Sequence, residues 1–184
     1  MAPSERLPAP TVIKTTHDKD GKSIVNKSVP EHPNEQVVTN GDAVFYLGYA
    51  TEQFPVEMNN DTDLKAYEKL ESSPPGLTIS GGTVLRYVDL KPGCTSAMHR
   101  TISLDYGIVI AGQLELVLDS GETRILGPGD ICVQRGTMHA WKNPSDTTWA
   151  RVVFVLVPSK PLEVNGQKLG EDYGGNMAGV RASS

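Results

Sequence analysis

A chain of 184 residues suits one domain with a substantial apolar core. Its formal charge of −5, with Lys and Arg scattered along the chain, leaves no basic footprint for nucleic acid or an anionic membrane surface. No apolar run approaches signal-peptide or bilayer-spanning length, and Cys94 and Cys132 lack the CxxC spacing or density of a disulfide scaffold, so a cytoplasmic protein with free thiols is expected.

Residues 1–10 contain Pro and Ser without periodicity and are expected to be loosely held unless a partner subunit covers them. Residues 11–76 read as strands and one short helix packing on the domain behind them. TVIKTTH and KSIVNKS flank a hairpin turn at Gly21, and AVFYLGYAT follows Asn40-Gly41. Leu64, Tyr67 and Leu70 recur at helical spacing behind Asp61, a candidate N-cap, and Ser72-Ser73-Pro74-Pro75-Gly76 ends that helix.

Residues 77–160 change character into short β-rich segments: TVLRYVDL, SAMHRTISLDYGIVIA, QLELVLD, TRILG, DICVQ, HAWKN and WARVVFVLV. Their regular spacing between Gly-, Pro- and Asp-containing turns predicts a barrel or sandwich, and the lack of an internal repeat predicts one of them. The tail, 161–184, is polar and Gly-rich and is expected to wrap the surface.

Two of these segments carry the chemistry. Strand alternation puts His99, Thr101, Ser103 and Asp105 on one face, with Met98, Arg100, Ile102 and Leu104 on the other; His139, Trp141 and Asn143 share a face of the second segment. A barrel that sets these strands side by side brings both imidazoles into an apolar interior, the usual form of a small-molecule site. Plainer readings stand beside this one: Asp105 as a partner of a loop, Trp141 as core packing, and the cysteines as packing residues.

The two segments resemble the two cupin motifs. Gly93, His99 and Gly112 match the first, with Thr101 where the family has a second His and Asp105 where it has Glu. Gly129, Gly136, His139 and Asn143 match the second, with Gln134 in place of the usual Pro and a spacer one residue shorter. The resemblance implies an all-β cupin fold, a double-stranded β-helix or jelly-roll barrel, with extra N-terminal strands and one short helix. HRTISLDYGIVIAGQLELVLDSGE, GDICVQRGTMHAWKNPSD and VNGQKLGEDYGG are further similar to small fungal cupins of polyketide and other secondary-metabolite pathways, which implies tailoring of a hydrophobic, oxygenated small molecule.

Two expectations then compete for His99, Asp105 and His139. As a two-His, one-carboxylate set they would hold one divalent transition metal, Fe, Mn, Ni or Zn, for oxidoreductase or oxygenase chemistry. As a metal-free site they would act by acid–base catalysis, with Asp105 raising the pKa of a neighbouring His and orienting it, which suits a lyase (dehydratase) or isomerase. The depleted ligand set favours the second; a non-catalytic ligand-binding barrel is the third reading. Thr101, Arg135 and Trp141 are the expected substrate-binding residues, Arg135 being preferred to Arg100 as an anion partner because Arg100 lies on the face opposite His99. A homodimer is expected, since cupins commonly pair through barrel strands and an unpaired β edge must be covered.

Overall fold

The computed structural model describes residues 5–174 and 177–183; Met1–Ser4, Gly175–Asn176 and Ser184 lie outside the described residues. Its elements in chain order are β1 (Thr15–His17), β2 (Ser23–Val25), β3 (Glu35–Val38), β4 (Ala43–Thr51), α1 (Thr62–Ser72), β5 (Thr83–Leu90), β6 (Ser103–Ala111), β7 (Leu114–Leu118), β8 (Thr123–Leu126), β9 (Ile131–Arg135), β10 (His139–Lys142), β11 (Ala150–Pro158), β12 (Glu163–Val164) and β13 (Gln167–Lys168). A six-stranded sheet in the order β3-β4-β5-β11-β6-β9 faces a three-stranded sheet, β10-β7-β8, and all the strand pairs are antiparallel. This is the barrel that the spaced strands predict, with the N-terminal strands β3 and β4 extending the larger sheet rather than forming a layer of their own.

Alternation explains the core. Along β5, Val84, Arg86, Val88 and Leu90 are buried in the same phase, three apolar side chains and one cation. Phe154 and Leu156 of β11 extend this inner wall, with Phe154 opposite Arg86 on one side and opposite Gly107 of β6 on the other. Gly107 is required there: a Cβ would lie 2.7 Å from the Phe154 ring, so the missing side chain lets the ring lie flat across β6.

The outer face of β4, β5 and β11 is covered by the chain's own N-terminal segment. Tyr67 of α1 is fully buried and donates to the Leu47 carbonyl at 2.9 Å, while Lys14 lies 5.1 Å from the Tyr67 ring centroid. Residues 6–10, expected to be loosely held, are tied down: Arg6 forms a two-pronged contact with Glu35, and Arg151 donates to the Pro8 carbonyl at 2.8 Å. The C-terminal tail is more than a surface wrap. Tyr173, Met177 and Val180 pack on the core, Ser183 bonds Thr78, and the tail passes so close to Gly76 that a Cβ there would sit 2.5 Å from the Ala182 carbonyl oxygen.

Two local expectations change. The helix begins one residue after Asp61 as read, but Asp61 has a left-handed backbone and its side chain makes no capping bond. The long strand expected from Ser96 is interrupted, and β6 starts only at Ser103; residues 95–100 make separate bridges, Thr95 to Lys142, His99 to His139 and Arg100 to Asp172. No helix among the described residues is long and apolar enough to cross a membrane.

Candidate functional site

Between the two sheets lies a cavity of about 790 Å³ counting the space at its mouth. Both walls contribute: Phe45, Arg86, Phe154 and Leu156 from the larger sheet, His139 and Trp141 from the smaller, with Met177 of the tail at its edge. Most of its exposed surface is apolar, with His99, His139, Asp105, Gln134 and Arg86 among the polar residues that line it, the form that small-molecule sites usually take.

The two histidines meet directly. Their backbones exchange hydrogen bonds, His99 N–H to the His139 carbonyl at 2.8 Å and His139 N–H to the His99 carbonyl at 2.9 Å, so both rings project to the same side of the bridge. The ring centroids are 4.4 Å apart and tilted by 52°. Each ring is oriented by the same local device: Nδ1 lies 2.9 Å from the carbonyl two residues earlier, Ala97 for His99 and Thr137 for His139. A carbonyl only accepts, so Nδ1 carries the proton and Nε2 of the neutral ring is left with its lone pair.

Electrostatics keeps these rings neutral. Burial lowers the His99 pKa to about 4, with the neighbouring His139 adding to the effect; the pull of Asp105 in the other direction is the smallest contribution. Burial likewise lowers His139. The expectation that Asp105 raises and orients a histidine is therefore corrected on both counts, because desolvation outweighs it and the backbone does the orienting.

Asp105 belongs to a separate polar net. Ser103 donates to Oδ1 at 2.5 Å, and Thr101 and Gln134 donate to Oδ2 at 3.3 and 3.0 Å. Gln134 is itself fixed by Trp141, whose Nε1 donates to Oε1 at 2.8 Å and so turns the amide nitrogen toward Asp105. Burial pushes the Asp105 carboxyl pKa up, against these donors, which pull it down. No group of three or more His, Cys, Asp or Glu among the described residues is arranged to hold a metal ion. The residues present therefore do not fit the two-His, one-carboxylate centre, and no chemical step is derived through a metal.

Of the expected substrate-binding residues, Thr101 and Trp141 line the cavity, Trp141 edge-on to Phe154 at 5.7 Å between centroids. Arg135 does not. It follows Gln134 on β9, and alternation that turns Gln134 inward leaves Arg135 exposed. Arg100 is engaged by the Gly170 carbonyl. The arginine in the cavity is Arg86, and its signal was available in TVLRYVDL, where it occupies the inward phase of an otherwise apolar alternation. Asn143 is structural: fully buried, it donates to the Leu90 and Thr148 carbonyls and accepts from Ser145 N–H, pinning the loop after β10.

Comparison with known proteins agrees with this architecture. The cupin domain model matches residues 86–156. The chain is 48% identical over 167 residues to "Phomopsin biosynthesis cluster protein C'" of Diaporthe leptostromiformis, covering 91% of this chain and 88% of the relative. It is 42% identical to "Oryzines biosynthesis cluster protein J" of Aspergillus oryzae, covering 94% and 96%, and 41% identical to "Cupin-domain-containing oxidoreductase fogC" of Aspergillus ruber, covering 89% and 79%. With the barrel, both motif histidines and these near full-length relatives together, the chain belongs to the cupin family, among cupin proteins of fungal biosynthesis clusters.

Proposed function

We propose that this protein is a tailoring enzyme of secondary metabolism that moves protons on a hydrophobic, oxygenated substrate in the barrel cavity, in a dehydration or isomerisation. The observation that carries the reading is the facing pair of neutral imidazoles, each with Nδ1 tied to a backbone carbonyl and Nε2 left as an acceptor. Nε2 of one histidine takes a proton from a carbon beside a carbonyl; the electron pair forms the new double bond. In an isomerisation the proton returns at another carbon. In a dehydration the departing hydroxyl takes a proton from Asp105, a cavity-lining carboxyl whose pKa burial raises, and leaves as water. Thr101 and Trp141 bound the space in which the substrate lies.

A second reading, redox tailoring, is favoured by relatives that bear the name cupin-domain-containing oxidoreductase. One experiment separates the two. The intermediate that accumulates when the gene is deleted is incubated with purified protein in D2O, with oxygen uptake followed and chelator added in parallel. Deuterium in the product without oxygen uptake, insensitive to chelator, and a kcat lowered about 10²–10⁴-fold in His99→Ala and His139→Ala, supports proton transfer. Chelator-sensitive turnover with oxygen uptake, or unchanged turnover in both variants, overturns it. Pairing into a homodimer is part of the same proposal: Tyr106 and Ile110 of β6 and Ile131 and Val133 of edge strand β9 are exposed apolar side chains, and light scattering tests whether a second copy covers them.

A further inference from the structure

Arg86 is a buried cation without a counter-ion. It is 2% exposed, lines the cavity, and has Nη1 without any hydrogen-bond partner; among the described residues only the Tyr46 hydroxyl shares that condition. Its other terminal nitrogen, Nη2, donates to the Gly76 carbonyl at 2.8 Å and reaches Pro75 at 3.5 Å, and its Cζ lies 5.2 Å from the Phe45 ring centroid. These neutral partners orient the guanidinium without cancelling its charge. Burial draws its pKa down to about 10, which leaves it charged at neutral pH. The tyrosine that faces it, Tyr173, is no counter-ion, because burial raises its pKa and its hydroxyl is engaged with Ser183.

The carboxylates lining the cavity are committed elsewhere. Asp42 lies toward Lys91 at 3.8 Å, and Asp105 holds Ser103, Thr101 and Gln134. Lys142 pairs with Glu115 and Arg151 with Asp89; buried Lys14, outside the cavity, has the Pro30 carbonyl and the Tyr67 ring, whereas Arg86 is the arginine that lines the cavity and keeps a nitrogen without a partner. Arg86 lines an apolar cavity with Nη1 buried and unpartnered and Nη2 on backbone carbonyls, so an anion that reaches Nη1 from the cavity would satisfy both the unpaired donor and the unpaired charge.

We infer that the cavity binds an organic carboxylate, with its acid group on Arg86 and its apolar or aromatic body along Phe154 and Phe45. The register places the acid at one end of the site. Arg86 is opposite Phe154, which is opposite Gly107, and Asp105 lies two residues along the same strand from Gly107. Two strand spacings across and two residues along put the anchor roughly 12 Å from Asp105 at the backbone. With its acid group held at Arg86, the ligand is taken to offer the rest of its body to the proton-moving residues that line the same cavity. This deepens the proton-transfer reading and rests on it for the identity of the reacting end; the anchor itself is read out by binding alone.

Isothermal titration at pH 7.5 with 4-bromobenzoate and with 4-bromobenzamide, a neutral probe of the same shape, tests it. The wild-type protein is expected to bind the benzoate at least tenfold more tightly than the benzamide. Arg86→Met is expected to lose that preference while keeping the benzamide affinity. A His99→Ala/His139→Ala double variant is expected to keep the preference whatever happens to turnover, so failure of the anchor and failure of the proton-transfer reading give different results. If Arg86→Met does not fold, a crystal of wild type soaked with 4-bromobenzoate decides: bromine anomalous scattering with the carboxylate against Arg86 supports the inference. Equal affinities for the two probes, no benzoate binding at millimolar concentration, a preference retained in Arg86→Met, or the carboxylate bound elsewhere overturns it.

Discussion

Arg86 and Arg151 sit on adjacent strands of one sheet, both buried, and the protein treats them oppositely. Arg151 forms a two-pronged pair with Asp89, Nε to Oδ1 at 2.6 Å and Nη2 to Oδ2 at 2.7 Å, with Tyr46 and Tyr87 rings 5.8 and 5.9 Å away and the Pro8 carbonyl of the N-terminal segment as a further acceptor. Arg86, in the other phase of the alternation, has backbone carbonyls and a phenyl ring but no anion. A buried charge that serves only the fold is neutralised, because leaving it bare costs several kcal/mol. Arg151 on the outer face follows that rule, although Lys14 above that face has only the Pro30 carbonyl and the Tyr67 ring; on the cavity face Arg86 has no anion, and at the histidines burial strips the charge instead of pairing it. Within the sheet itself, paired Arg151 marks the scaffold face and unpaired Arg86 the cavity face.

The largest expected effect comes from breaking the neutralised side. Asp89→Ala leaves Arg151 buried and unpaired and is expected to destabilise the protein by about 3–5 kcal/mol in urea unfolding. Arg86→Met removes a charge that had no partner and is expected to stay within about 1 kcal/mol of wild type, or to exceed it. Equal losses in the two variants would mean that Arg86 is as much a part of the scaffold as Arg151, and the contrast between the faces would go.

The scaffold was the more legible half. Turn residues and alternating strands located β4 through β11 to within a few residues, and the motif positions of His99 and His139 implied that the two rings meet. What escaped depended on contacts distant in sequence. The break before Ser103 follows from the Arg100–Asp172 bridge, a partner seventy-two residues away. Met177 reaches the cavity from a tail with no periodic pattern, and Gly76 is demanded by that same tail. The neutral state of the histidines depends on burial in three dimensions, whereas the sequence shows only that a carboxylate is near. Arg86 is different in kind: the alternation in TVLRYVDL contained it, but attention to the histidine segments led instead to Arg135, which the pleat turns outward.

The next effect sharpens the cavity side through pH. His99 titrates near 6.5 when unfolded and at about 4 in the folded cavity. Between these values the unfolded chain takes up a proton that the folded one refuses, so stability is complete above pH 6.5 and falls as pH drops toward 4, by on the order of 3 kcal/mol. Asp105, with its pKa raised on folding, contributes with the opposite sign, being favourable at low pH and lost as pH rises through its folded value. Burial and the Ser103, Gln134 and Thr101 donors set most of that contribution and are shared by wild type and His99→Gln, so it largely cancels in their difference. Urea unfolding of both proteins from pH 4 to 7.5 is expected to show the variant losing less stability on acidification; parallel curves would mean that His99 is not desolvated as the geometry requires.

The smallest expected effect tests whether the polar net acts as a unit. Trp141→Phe keeps an aromatic ring against Phe154 but deletes the N–H that orients Gln134, freeing the amide to turn away from Asp105. Asp105 then loses a donor that favours its ionised form, so its pKa rises further. A kcat reduced about tenfold with little change in KM, worth about 1.4 kcal/mol, is expected from the loosened Asp105, together with an upward shift of the basic limb of the pH–rate profile, because Asp105 acts in its protonated form. Gln134→Leu should produce the same shift, and the double variant should be no worse than either single one, because all three remove one hydrogen-bond chain. Purely additive losses with an unmoved basic limb would make Trp141 a packing residue only. In that case the polar net around Asp105 would belong with Arg151 and Asp89, to the scaffold and not to the site.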